Sequence, residues 1–334
     1  MDAQGGTRGA WLKWGGLIGA LVVLGALAAV LVTTGKPGVS AKSTLRYEMA
    51  PLRQVDRALV KYAEERRIET GFTAVGGLAL RPDGSVLVAG DSAVRTFAPD
   101  GKRAGEIRLS GPVRCVATDE AGKVYAGLRD HVEVYDAQGT PAARWDSLGE
   151  KARVTGLAVA ADDVFVADSG GRVVVRCDKT GKVRNRIGAR DPAKNVPGLV
   201  LPSEYLDVAL GPGGLVYVNN TGRHRIEAYT VDGDLEHQWG KFSMDVDGFC
   251  GCCNPISFAL RPGGGFVTSE KGIARVKLLD ADGNLECIVA APESFAEDAH
   301  GVDVALDGKG RVYVLDTGTR AVRIFSRRGE EEKK

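Results

Sequence analysis

Short apolar runs that alternate with polar residues recur along this chain from about residue 77 to its end. Six of them begin alike: Gly77-Leu78-Ala79-Leu80, Cys115-Val116-Ala117-Thr118, Gly156-Leu157-Ala158-Val159, Asp207-Val208-Ala209-Leu210, Ser257-Phe258-Ala259-Leu260 and Asp303-Val304-Ala305-Leu306. Each has alanine at the third place, and the alanines lie 38, 41, 51, 50 and 46 residues apart. Most run into a Gly-bearing turn such as Asp83-Gly84 or Lys309-Gly310, whereas the third copy has Asp162-Asp163 there. A second alternating run follows, as in Leu215-Val216-Tyr217-Val218. Alternation of period two predicts strands, and a unit near forty residues with several short strands predicts the blades of a β-propeller. Turns such as Pro99-Asp100-Gly101 and Ala281-Asp282-Gly283 read as the hairpins between third and fourth strands, where Gly supplies positive φ. One blade cannot bury both its faces, so the copies must stack into a ring. The expected fold is all-β, a six-bladed propeller over residues 67–330.

The sixth unit lacks a fourth strand. After Val322-Arg323-Ile324-Phe325 the chain passes into Arg327-Arg328-Gly329 and a charged tail ending at 331–334. The segment Arg67-Ile68-Glu69-Thr70-Gly71-Phe72 is the candidate to supply the missing strand and remove an open sheet edge. Residues 51–66 read as an amphipathic helix, with Val55, Leu59 and Tyr62 on one side.

Upstream the pattern changes. Trp14 to Val32 carries no charge, which is long enough to span a bilayer as a helix, and Trp11 and Trp14 sit at one end as interfacial aromatics do. A transmembrane anchor over 14–34 is expected, with a short tail 1–13 before it and a tether 35–50 after it. A cleaved signal segment is the rival, since Val39-Ser40-Ala41 fits a small-residue cleavage site. Basic residues lie on both sides: Arg8 and Lys13 before, Lys36, Lys42, Arg46 and Arg53 after. A short basic tail stays inside while a large domain is exported, so the propeller is expected on the periplasmic or extracytoplasmic side. The charge balance, 44 basic against 43 acidic residues, gives no pull toward nucleic acid.

The segment Asn220-Thr221-Gly222-Arg223-His224-Arg225-Ile226-Glu227-Ala228-Tyr229, echoed by Asp168-Ser169-Gly170-Gly171-Arg172 and Asp316-Thr317-Gly318-Thr319-Arg320, resembles the NHL-repeat family of six-bladed propellers. The resemblance covers about 77–330. It implies a fold that serves as binding platform, scaffold or, in some members, enzyme, and so says little about function. The enzymatic relatives, peptidyl-amidating lyases, hold a channel zinc with several histidines. Here only His300, next to Asp298, stands just before an inner strand; the equivalent places hold Thr155, Tyr205 and Asn254, which argues against such a lyase. A calcium-dependent lactonase would need channel carboxylates and amides, for which Glu204, Asp207, Asn254 and Asp303 are available.

Loops that lead into an inner strand, and loops from second to third strand, share one face of a propeller, here the top. The loop leading into blade five, Asp247-Gly248-Phe249-Cys250-Gly251-Cys252-Cys253-Asn254-Pro255, concentrates three of the six cysteines. Three readings stay open: a disulfide staple, with Cys287 as the partner; a metal or redox site built from Cys250, Cys252 and Cys253; and a tightly packed turn. The spacing matches neither paired Cys-x-x-Cys knuckles nor a four-cysteine cluster. Cys115 and Cys177 read as buried apolar residues. Glu270 and Lys271 in the same blade, with Arg223, Asn254 and His300, make a candidate top-face recognition patch, although an ordinary solvated ion pair would read the same way. The sequence thus favours a membrane-anchored, exported binding scaffold with a protein partner in a membrane complex. The alternatives are a redox or metal accessory protein and a lyase- or lactonase-type enzyme.

Overall fold

The computed structural model describes residues 53–296, 299 and 301–329. The expected anchor, tether and charged tail lie outside the described residues, as does His300. Among the described residues no helix is long and apolar enough to cross a membrane.

Six four-stranded antiparallel sheets form the propeller. In blade four the strands are Val208–Leu210, Val216–Asn220, Arg225–Tyr229 and Leu235–Trp239, from inner to outer. The other blades repeat this order, because the alternation in the sequence repeats. Inner faces pack blade against blade: Phe165, Ala167 and Val174 of blade three meet Val208, Val216, Val218 and Tyr229 of blade four in one buried cluster. Gly101, Gly181, Gly233 and Gly283 close the outer hairpins with φ of 87°, 91°, 92° and 82°, a region that favours glycine.

The middle of the third strand carries a charge in five blades: Arg95, Glu133, Glu227, Lys277 and Arg323, with Val175 at the equivalent place in blade three. A buried charge is costly unless paired. Each has a partner within its own blade or the strand beside it. Arg95 Nε lies 2.9 Å from Glu106, Tyr135 Oη donates to Glu133 at 2.8 Å, Arg225 Nε donates to Glu227 at 2.6 Å and Lys277 Nζ lies 2.9 Å from Glu270.

Blade six is closed by the N-terminal segment, as its missing strand required. Tyr62–Glu69 pairs antiparallel with Ala321–Arg327, matching Ile68 to Val322 and Tyr62 to Arg327. Arg323 Nε, donating to Glu64 Oε2 at 3.0 Å, clasps the two chain ends. The strand lies earlier than the 67–72 segment suggested, because Gly71, at φ 70°, breaks the extended run and Phe72 turns inward against blade one. The helix expected over 51–66 is corrected accordingly. From residue 53 there is a single 3-10 turn, Arg57–Leu59, and then the strand. Three apolar residues at helical spacing cannot outweigh a whole unpaired sheet edge waiting for a ladder partner. The propeller therefore begins at 62 rather than 67.

Candidate functional site

The first residue of each repeat marks the same level of the central channel: Gly77, Cys115, Gly156, Asp207, Ser257 and Asp303. The last three sit side by side on neighbouring blades and bond across them. Ser257 Oγ lies 2.9 Å from Asp207 Oδ2 and 2.7 Å from Asp303 Oδ1. Asp207 also accepts from Phe258 N of blade five at 3.2 Å, and Asp303 from Leu78 N of blade one at 2.8 Å. The carboxylates thus brace blades four to six and one. A hydroxyl has a single proton, so it donates to one carboxylate at a time; the other contact needs a proton on the carboxyl side. Burial, and for Asp207 the like charge of Asp303, pushes both well above the usual carboxylate range, with Asp207 pushed up to about 7. The trio therefore holds an extra proton near neutral pH.

Along the whole length of the inner strands, from Glu204 and Tyr205 at one end to Leu80, Leu210 and Leu260 at the other, runs a cavity of about 1110 Å³ walled by all six blades. Apolar side chains such as Leu157, Val208, Phe258 and Val304 share its surface about equally with polar groups, among them Arg114, Glu204, Tyr205, Asp207, Ser257, Asp303 and Thr317. Arg114 Nη1 lies 2.9 Å from Glu204 Oε2, and Arg153 Nε lies 3.9 Å from Glu204 Oε1. Glu204 is engaged at the rim and the acid pair is engaged in cross-blade bonds. Asn254, the remaining residue considered as a channel ligand, is buried elsewhere: its Nδ2 donates to Cys250 O at 2.7 Å and Lys271 O at 3.1 Å, and its Oδ1 accepts from Lys271 N at 2.9 Å. Asn254 is a staple of the cysteine loop, not a group presented to a ligand. These four do not converge, and among the described residues no three His, Cys, Asp or Glu side chains are grouped to hold a metal ion.

The cysteine loop stands on a buried ion triad. Glu270, read from sequence as half of an accessible pair, is buried, with Arg275 Nε at 2.7 Å and Lys277 Nζ at 2.9 Å from its Oε1. Both cations reach on to the loop: Arg275 to Gly248 O at 3.3 Å, Lys277 to Gly248 O at 2.7 Å and Val246 O at 3.2 Å. Lys277 also lies 4.2 Å from the centre of the Phe249 ring, and burial pulls its ammonium below the usual lysine range. The sequence neighbours Glu270 and Lys271 thus part company, one to the interior and one to the top face. A recognition patch containing both is excluded by that burial.

Lys271 turns toward the cysteines. Its ammonium lies 4.8 Å from the centre of the Tyr205 ring, and the Cys253 sulfur holds it above the usual lysine range against the opposing effect of burial. Cys252 and Cys253 have their sulfurs 3.0 Å apart. Burial alone would raise the Cys253 thiol, yet the neighbouring Cys252 and the Lys271 cation outweigh it and hold Cys253 below the usual thiol range. The buried Ser203 Oγ has no hydrogen-bond partner among the described residues. Cys252 is raised, chiefly by its hydrogen bond with Cys253. Cys250 is raised by burial and by Glu270. The suggested Cys287 disulfide does not form: all six cysteines are free, and Cys287 packs with Tyr62 and Val289 in the core between blades five and six. Cys115 and Cys177 are buried, and burial raises both thiols, Cys177 to about 11. Arg223 stands on the top turn of blade four, and the neighbouring His224 Nε2 donates to Gly251 O at 2.6 Å. Ser203 and Tyr205 were not singled out as companions of the thiols, because they precede blade four while the thiols precede blade five; only the fold joins them.

No family model matches the sequence, and no curated protein matches it. Among solved structures the chain is similar to a structural-genomics protein of unknown function from Bacteroides thetaiotaomicron, with 18% identity over 79% of this chain and 72% of that one and a TM-score of 0.59. It is similar to virginiamycin B lyase from Staphylococcus aureus, with 14% identity, 79% and 99% coverage and a TM-score of 0.56. It is similar also to the WD40 β-propeller domain of Doa1, with 13% identity, 80% and 98% coverage and a TM-score of 0.55. At such identities the likeness is one of fold, and what these comparisons establish is that the chain is a six-bladed β-propeller.

Proposed function

We propose that this chain is an NHL-type propeller, tethered to a membrane by residues 14–34 and exported, whose top face binds a protein partner in a membrane complex. The observation that carries the reading is the cavity of about 1110 Å³, whose surface is shared about equally by apolar and polar groups and whose end at Arg114, Glu204 and Tyr205 lies on the top face. That combination suits a site that seats an amphipathic group and orients it by its polar end. The rim offers Arg114, Arg153 and Glu204, whose exposed ion pairs contribute little to stability and can exchange partners at small cost. The NHL assignment rests on the Asn220–Tyr229 segment, and the tether on the uncharged run before the propeller.

The reading is tested by placing a photo-crosslinking amino acid at Glu204 on the top rim or at Asp282 in a bottom turn, in the full chain within its own membranes. A discrete crosslinked protein is expected from position 204 alone, and it should vanish when Arg114 and Arg153 are changed to Glu. Adducts from 282 alone, or adducts at 204 indifferent to those reversals, would overturn it.

A further inference from the structure

We propose that Cys252 and Cys253 are a redox switch, closing to a reversible vicinal disulfide by exchange with an external disulfide and so changing the surroundings of Lys271 beside Tyr205. The inference goes beyond the binding role above and does not depend on it. Four observations carry it. The two sulfurs are already 3.0 Å apart, so about 1 Å of approach completes a bond of about 2.05 Å. Cys252 is the exposed one of the six cysteines, while Cys253 is buried behind it, so a reagent arriving from solvent meets Cys252 first. The Lys271 cation favours the charged form of Cys253. The loop itself is anchored by Arg275 and Lys277 through the Val246 and Gly248 carbonyls, which holds the pair in place.

The chemistry balances with a disulfide, R–S–S–R, as the oxidant. The exposed Cys252 gives its proton to solvent and becomes the nucleophile. It attacks one sulfur of R–S–S–R, forming Cys252–S–S–R and expelling RS⁻. Cys253 gives its proton to that RS⁻ and attacks the Cys252 sulfur, expelling the second RS⁻. The protein pair loses two electrons, the disulfide gains them, and one thiol and one thiolate leave. Adjacent Cα atoms stand only about 3.8 Å apart, below the usual disulfide range, so the ring is strained and readily reduced again. That suits a switch better than a staple.

The consequence lies at the channel mouth. In the reduced pair the Cys253 sulfur favours the charged form of Lys271, whose ammonium lies over the Tyr205 ring; in the disulfide neither sulfur can carry a negative charge beside it. Tyr205 lines the cavity, and its Oη lies 3.4 Å from where a Cβ on Gly301 would sit. The switch therefore alters the surroundings of Lys271 next to the rim.

The test equilibrates the full chain in buffers of reduced and oxidised glutathione, quenches it with acid, alkylates free thiols and maps the peptide carrying Cys250, Cys252 and Cys253. Oxidising buffer should leave one alkyl group, on Cys250, and a mass lower by two hydrogens at Cys252–Cys253; reducing buffer should restore three alkyl groups. Cys253→Ser should trap a glutathione mixed disulfide on Cys252, an exposed position where Cys252→Ser in turn should leave the melt unchanged. Lys271→Met should move the pH midpoint of alkylation at the pair upward by about one unit. Three alkyl groups at every glutathione ratio, or oxidation mapping to Cys250, would overturn the proposal, as would an alkylation midpoint indifferent to Lys271→Met.

Discussion

Replacing Asp207 with Asn should flatten the pH dependence of stability that the channel acid pair imposes. In the folded chain Asp207 is pushed up to about 7, first by burial and then by the charge of Asp303, while an unfolded Asp titrates near 3.9. Between those values the folded chain binds the extra proton and the unfolded chain does not. The stability this contributes is complete below about pH 4 and is lost as pH rises through about 7. One proton limits the slope to about 1.4 kcal/mol per pH unit, and the whole window to at most about 4 kcal/mol, with less expected because cavity solvent reaches the pair. The carboxylates whose titration is lowered, such as Glu64 and Asp136, act with the opposite sign, but below about pH 5. The assay is urea unfolding followed by the fluorescence of Trp145 and Trp239, on the chain lacking residues 1–40, every half unit from pH 5 to 8. The parent should lose stability as pH rises across this range. Asp207→Asn should start about 1 kcal/mol lower at pH 5, having lost a hydrogen bond, and fall less steeply than the parent, since only Asp303, itself raised by burial, still titrates, so that the curves converge. Parallel curves would refute the shared proton.

Other outcomes follow from the same contacts. Glu270→Gln leaves Arg275 and Lys277 buried without a counter-charge and should cost about 3–5 kcal/mol in denaturant unfolding, whereas Lys277→Met keeps the Glu270–Arg275 pair and should cost about 1–2 kcal/mol. Deleting residues 44–73 removes the strand that closes blade six and should lower the melting temperature steeply, while removing 330–334 should hardly move it; equal melts would mean the ring closes without Tyr62–Glu69. The full chain should stay in the membrane pellet under alkaline carbonate, and the chain lacking 1–40 should be released; release of both would refute the tether.

The repeated alanines and Asp-Gly turns made the blades readable because each unit carries its own local signal, period two plus a glycine at the positive-φ place. Closure was readable for a related reason: after Phe325 the pattern turns charged and shows no further strand, while the alternation upstream of the first blade offered one to cover the bare edge. The N-terminal strand was misread as a helix because its partner, Ala321–Arg327, lies more than 250 residues away and outweighs local spacing. Glu270 and Lys271 looked like one pair because they are adjacent in sequence, but Glu270 ends the strand Phe266–Glu270 facing the interior while Lys271 already lies in the turn beyond it. The same fact hid the site: Lys271 could meet Cys253, Ser203 and Tyr205 only once blades four and five were packed together.

Hydrogen exchange, compared between the chain in its native membranes and the same chain purified in detergent, tests the central claim most directly. Slower exchange in membranes is expected in peptides over Val113–Arg114, Arg153–Thr155 and Ser203–Leu206, which line the cavity and its rim. The bottom turns at Gly101, Gly181 and Gly283 should exchange alike in both. Protection confined to those bottom turns, or identical exchange over the top loops, would contradict a partner seated on the top face.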